Sequence, residues 1–157
     1  MNGMKRTILL LATIGTLAFA ASAAAAPPVV NQTDVVKNGT DTFIDVNPCT
    51  GDPAQITITF NAVFHITVFA NGTVHVTETT TGSFLLDTLD PSKPDFSGHF
   101  TQWDGFNGNN RNASGTFTFT VNGTGTDGSH LRFHETAHFT VNANGVVTVE
   151  FDKPTCG

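Results

Sequence analysis

From Ile56 to Phe60 the chain reads Ile-Thr-Ile-Thr-Phe, and from Thr116 to Val121 it reads Thr-Phe-Thr-Phe-Thr-Val. This two-residue alternation of threonine with large apolar side chains restricts the fold more than any other feature. Successive side chains of a β-strand point to opposite faces, so each such segment has one apolar face and one hydroxyl-bearing face. A helix would scatter the same residues around its circumference. After the first 26 residues helical periodicity is absent, Thr, Val, Ile and Phe dominate, and Gly and Asn punctuate. The expected strands are Thr40–Val46, Gln55–Phe69, Thr73–Leu86, Phe96–Trp103, Ala113–Val121, His130–Asn142 and Val146–Asp152, with a further short one at Val29–Val36. Asp90–Pro94 is expected to be a loop, because its two prolines cannot donate to a ladder. Gly105–Asn112 and Asn122–Gly128 are expected to be further loops.

Two hairpins can be read in register. Ala70-Asn71-Gly72 and Ala143-Asn144-Gly145 are three-residue loops ending in glycine, suited to a type I turn closed by a left-handed bulge. The first predicts Val68 opposite Val74, Ile66 opposite Val76 and Glu78 opposite Phe64. The second predicts Phe139 opposite Val149, Thr140 opposite Thr148 and His138 opposite Glu150. Period two then puts Ile56, Ile58, Phe60, Phe64, Ile66, Val68, Val74, Val76, Phe84, Phe96, Phe100, Phe117, Phe119, Val121, Leu131, Phe133, Phe139, Val141, Val149 and Phe151 on one face. The threonines and all six histidines (His65, His75, His99, His130, His134 and His138) fall on the other. A sheet with one apolar face must bury it. Tight hairpins between long strands favour an all-β, antiparallel meander barrel of seven or eight strands, with a β-sandwich as the alternative.

The first 25 residues carry Lys5 and Arg6, then an apolar run from Ile8 to Ala20, then small residues to Ala26. That order reads as a signal peptide cleaved near Ala25–Ala26 and a secreted domain spanning 26–157 with no membrane span of its own. Removing Lys5 and Arg6 leaves five basic residues against thirteen acidic ones, a net charge of −8. Such a chain repels phosphate backbones, which argues against nucleic-acid partners. Two cysteines in an exported chain read as a disulfide, Cys49–Cys156, closing a loop of about 107 residues and stabilising by roughly 4–5 kcal/mol in the chain-entropy account.

His134-Glu135-Thr136-Ala137-His138 matches the H-E-x-x-H pattern of zinc proteases. That chemistry needs a helix. On an alternating strand the two histidines are ~13 Å apart at ~3.3 Å per residue and Glu135 faces away, so the match is read as a decoy and no metal site is expected. The histidine-rich polar face reads as a solvated strand surface, with pH sensitivity as the sharper alternative. Glu78 and Glu135 interrupt the apolar face. The second hairpin sets Glu135 opposite Lys153, predicting an ion pair, whereas Glu78 has no partner visible in sequence. No cofactor motif occurs, and no Ser/His/Asp or Cys/His set has supporting context.

Asn47-Pro48-Cys49-Thr50-Gly51, Trp103-Asp104-Gly105-Phe106-Asn107-Gly108-Asn109, Phe133-His134-Glu135 and Thr155-Cys156-Gly157, behind an Ala-rich leader, resemble a family of small exported actinobacterial proteins without an assigned activity. The resemblance implies secretion and no catalytic residues. The pattern is also similar, by analogy only, to lipocalin-like and allene-oxide-cyclase-like barrels.

These readings favour a non-enzymatic secreted binding protein holding a small apolar ligand among Glu78, Phe64, Phe100, Phe117, Phe119 and Phe133. The second reading is a module that binds a cell-surface glycan or protein through Trp103, Phe106 and Arg111 in a Trp103–Asn112 loop. The third is a cyclase- or isomerase-like enzyme using Glu78.

Overall fold

The computed structural model describes residues 27–157, so the leader reading lies outside the described residues. Seven strands follow one another: β1 (Pro28–Val46), β2 (Pro53–Phe69), β3 (Val74–Thr88), β4 (Phe96–Gly108), β5 (Ala113–Gly125), β6 (His130–Val141) and β7 (Val147–Cys156). They form one antiparallel sheet in which each strand pairs with its neighbours in sequence, in the order β1 to β7. The all-β meander is therefore as expected. The barrel is not closed, because β1 and β7 share no ladder.

The two expected N-terminal segments are one strand. A register shift between Val36 and Gly39, with Asn38 at a φ of 52°, lets β1 run through the Lys37-Asn38-Gly39 interruption as a bulge. The sheet's inner face carries the apolar set. Its fully packed part is Ala54, Phe84, Leu86, Phe96, Phe100, Val121, Leu131 and Phe133. Glycines on this face let the sheet bend. A side chain at Gly98 would run into the backbone carbonyl of Asn122, and the ring of Phe84 occupies the space over Gly123.

Cys49 and Cys156 are bonded, with Cα atoms 5.7 Å apart. Asn47, buried, orders the turn that presents Cys49: its Oδ1 accepts from Cys49 N at 2.9 Å and Thr50 N at 3.3 Å. Gly51, at a φ of 77°, closes the turn by donating to Asn47 O at 2.8 Å. On the other side, Gly157 N donates to Arg132 O at 3.1 Å. The disulfide thus joins the β1–β2 turn to the end of β7. Lys93 and Asp52, 3.7 Å apart, tie the β3–β4 loop to the same turn.

The first hairpin register is as predicted: Val68 faces Val74, Ile66 faces Val76 and Phe64 faces Glu78. The second is not. Its turn is the same, with Gly145 at a φ of 74° and Asn142 N donating to Val146 O at 2.9 Å. A register shift one residue past that turn leaves Thr140 opposite Val149, Phe139 opposite Glu150 and His138 opposite Phe151. One extra residue reverses the parity of β7. Val149 and Phe151 therefore leave the inner face, while Glu150 and Asp152 enter it. Phe151 stays exposed, with its ring stacked on His138 at 5.7 Å and Lys153 Nζ 5.0 Å from its centroid. The expected Glu135–Lys153 pair is thereby lost, since Glu135 faces Pro154.

Candidate ligand-binding interior

The ladders stack inner side chains into rows across the sheet. One row runs Phe60, Gly82, Phe100, Val121, Phe133 and Cys156, and is apolar throughout. The next runs Ala62, Thr80, Gln102, Phe119, Glu135 and Pro154, and the one after it Phe64, Glu78, Asp104, Phe117, Ala137 and Asp152. Polarity thus enters the interior as a belt midway along the strands. Each acid of the third row has a hydrogen-bond partner in the second. Thr80 Oγ1 donates to Glu78 Oε1 at 2.8 Å, and Gln102 Nε2 donates to Asp104 Oδ2 at 2.7 Å. Asp152 sets its carboxyl against that of Glu135, where the two can share a hydrogen bond only when one of them holds a proton. Burial, then the charge of Asp152, then this hydrogen bond push the Glu135 carboxyl above the usual carboxylate range.

The belt divides two cavities. The one toward the disulfide has a volume of about 340 Å³ and is lined by Phe43, Ile58, Leu86, Phe100, Phe119 and Phe133 among others, with Asp45 and Glu135 its only ionisable groups. Phe119 is the hub of its aromatic wall, 6.0 Å from Phe100, 6.2 Å from Phe133 and 6.1 Å from Phe117, centroid to centroid. The other cavity, about 380 Å³, lies toward the opposite end and holds Glu78, Asp104, Phe117, Phe139, Glu150 and Asp152.

The interior residues picked from sequence are thereby separated. Phe100, Phe119 and Phe133 line the first cavity, whereas Glu78 and Phe117 line the second. Phe64 is half-buried in the Glu78 row and lines neither. Sequence reasoning missed Asp104, Gln102, Thr80, Glu150 and Asp152. Continuing the parity of Phe96 and Phe100 along β4 would have found Gln102 and Asp104.

The Trp103–Asn112 segment is not one loop. Trp103 to Gly108 belong to β4, and the turn is Asn109–Asn112, where Asn109 Oδ1 accepts from Arg111 N at 2.8 Å and Asn112 N at 3.0 Å. Trp103 lies on the outer face between Thr79 and Thr118. Phe106 lies on the inner face and lines the second cavity, and Arg111 is exposed in the turn. The three residues do not converge.

The H-E-x-x-H match lies on β6. His134 bonds Thr120 and Thr136 at 3.0 and 3.2 Å, and His138 bonds Thr116 at 2.8 Å, all on the outer face, while Glu135 points inward. No protein-family model, no curated protein and no solved structure matches the chain.

Proposed function

We propose that the protein is an exported binding protein whose sheet wraps, in the manner of an unclosed barrel, around one small and largely apolar molecule. The observation that carries this reading is the cavity of about 340 Å³ beside the disulfide, walled by Phe43, Phe100, Phe119 and Phe133. Its size and apolar lining with a few polar groups suit a small-molecule site. Glu135 offers the ligand a polar end, so a molecule with one hydroxyl or amine on a hydrocarbon body fits best. The disulfide is compatible with an oxidising compartment.

Native mass spectrometry of the protein recovered from culture medium is the direct test. A stoichiometric adduct of a small lipid or terpenoid is expected. Titration with 1-N-phenylnaphthylamine should be saturable, and Ile58→Phe, which fills the cavity, should weaken it. Absence of both an adduct and saturable probe binding overturns the reading. N-terminal sequencing of the exported protein tests cleavage near Ala25–Ala26.

A further inference from the structure

Trp103, the only tryptophan of the chain, is 42 % exposed on the outer face and lines neither cavity. Its six-membered ring folds back along β4 and lies over Gly105: a Cβ placed there would be 2.6 Å from Cη2, 3.1 Å from Cζ2 and 3.2 Å from Cζ3. The absent side chain of Gly105 lets the indole lie down on the sheet rather than stand up from it.

The surroundings form a regular grid. Across β3, β4 and β5 the outer rows read Thr81-Thr101-Thr120, Thr79-Trp103-Thr118 and Thr77-Gly105-Thr116. Rows lie ~6.7 Å apart and columns ~4.8 Å apart, from strand geometry. Seven threonines thus surround one flat aromatic ring, and none of the nine positions is charged. Thr116 and Thr120 are held by His138 and His134. Among the described residues, Thr77, Thr79, Thr81, Thr101 and Thr118 make no side-chain hydrogen bond, which leaves their hydroxyls for an outside partner.

We propose that this face binds an uncharged, all-equatorial β-linked polysaccharide of the glucan or chitin type, with one pyranose ring stacked on Trp103. The axial C–H bonds of such a ring carry partial positive charge and meet the negative face of the indole. Its equatorial hydroxyls and linkages lie in the ring plane, within reach of threonines that both donate and accept. The threonines repeat at the regular spacing of the strands around one indole, which suits the repeated hydroxyls of a sugar chain. The acidic chain disfavours anionic polymers. This site is independent of the interior cavity, so either can fail without the other.

The single tryptophan makes the test direct. Intrinsic fluorescence of the oxidised, cleaved protein is titrated with cellohexaose and, separately, chitohexaose, and retention on microcrystalline cellulose and chitin is measured in parallel. A saturable spectral change with at least one oligosaccharide and retention on the matching solid are expected. Trp103→Ala should reduce retention about tenfold or more, as truncation of a central aromatic anchor does. Thr79→Val with Thr118→Val keeps shape and removes two hydroxyls; it should weaken binding several-fold while the fluorescence of Trp103 still reports a folded site. No spectral change with either oligosaccharide, or equal retention of wild type and Trp103→Ala, overturns the proposal. So does a concentration-dependent blue shift without sugar accompanied by dimer in sedimentation, which would assign the face to a second copy.

Discussion

The two ends of the sheet use the same alphabet of Phe, Val, Thr and Gly and reach different degrees of order. At the disulfide end Phe84, Leu86, Phe100, Val121, Leu131 and Phe133 are buried. At the opposite end the inner-face residues Phe106, Phe139 and Val147 remain substantially exposed. Composition does not separate the ends; closure does. One end has the Asn47 turn and the Cys49–Cys156 bond holding the β1–β2 turn to the end of the last strand, with the Lys93–Asp52 pair tying the β3–β4 loop to the same turn. The other ends in three tight turns with no cross-link, and its inner face carries Glu78, Asp104, Glu150 and Asp152. A bent sheet buries its apolar face only as far as its edges are held together.

The largest effect should come from removing the staple. Cys49→Ala with Cys156→Ala should cost roughly 4–5 kcal/mol in urea unfolding of the oxidised wild type against the variant. A loss below about 1 kcal/mol would show that the disulfide is not what distinguishes the ends. Next, Phe133→Ala, at 7 % exposure, should cost about 3–5 kcal/mol, and Phe139→Ala, at 40 %, about 1 kcal/mol. Equal costs in thermal melts would break the comparison.

The glycines give a finer version of the same contrast. Gly98→Ala meets the fixed backbone carbonyl of Asn122 and should cost about 2–3 kcal/mol. Gly115→Ala meets only the far ring edge of Phe139, a side chain with room to turn, and should cost less than about 1 kcal/mol. Smallest is Glu135→Gln. The raised carboxyl of Glu135 contributes stability in acid, below the ordinary glutamate range, and that contribution is lost as pH rises through the elevated value. Wild type should therefore lose ground to Glu135→Gln as pH rises above the ordinary glutamate value of about 4.3, read from chemical denaturation at each pH.

The inner face was legible in the sequence wherever one parity of a strand is apolar and the other is not, as in β2, β5 and most of β6. The first hairpin was readable because only one register matches Val68, Ile66, Val74 and Val76. The second has the same turn, yet Val146-Val147-Thr148-Val149 offers apolar residues at both parities, so alternation could not reveal the extra residue. What stabilises the slipped register is the stack of His138, Phe151 and Lys153, a contact between side chains that a one-strand pattern does not contain. The acid belt was hidden for related reasons. Asp104 follows Trp103 and precedes Gly105, a sequence that reads as loop until the indole covers the glycine and the strand continues. Asp152 joins the belt only after β7 has changed parity.

Because every backbone ladder joins strands that are consecutive in sequence, no ladder requires a strand that is not a neighbour along the chain. Hairpins of this kind form in microseconds, and each can template the next without waiting for a distant segment. The one event that must bring together residues 107 apart is oxidation of Cys49 with Cys156. Assembly is thereby divided into a fast zipping of neighbours and a slow covalent latch. The latch depends on the redox state of the compartment rather than on the sequence of any strand. A chain held reduced keeps the information for all seven strands and lacks the covalent tie between the β1–β2 turn and the end of β7.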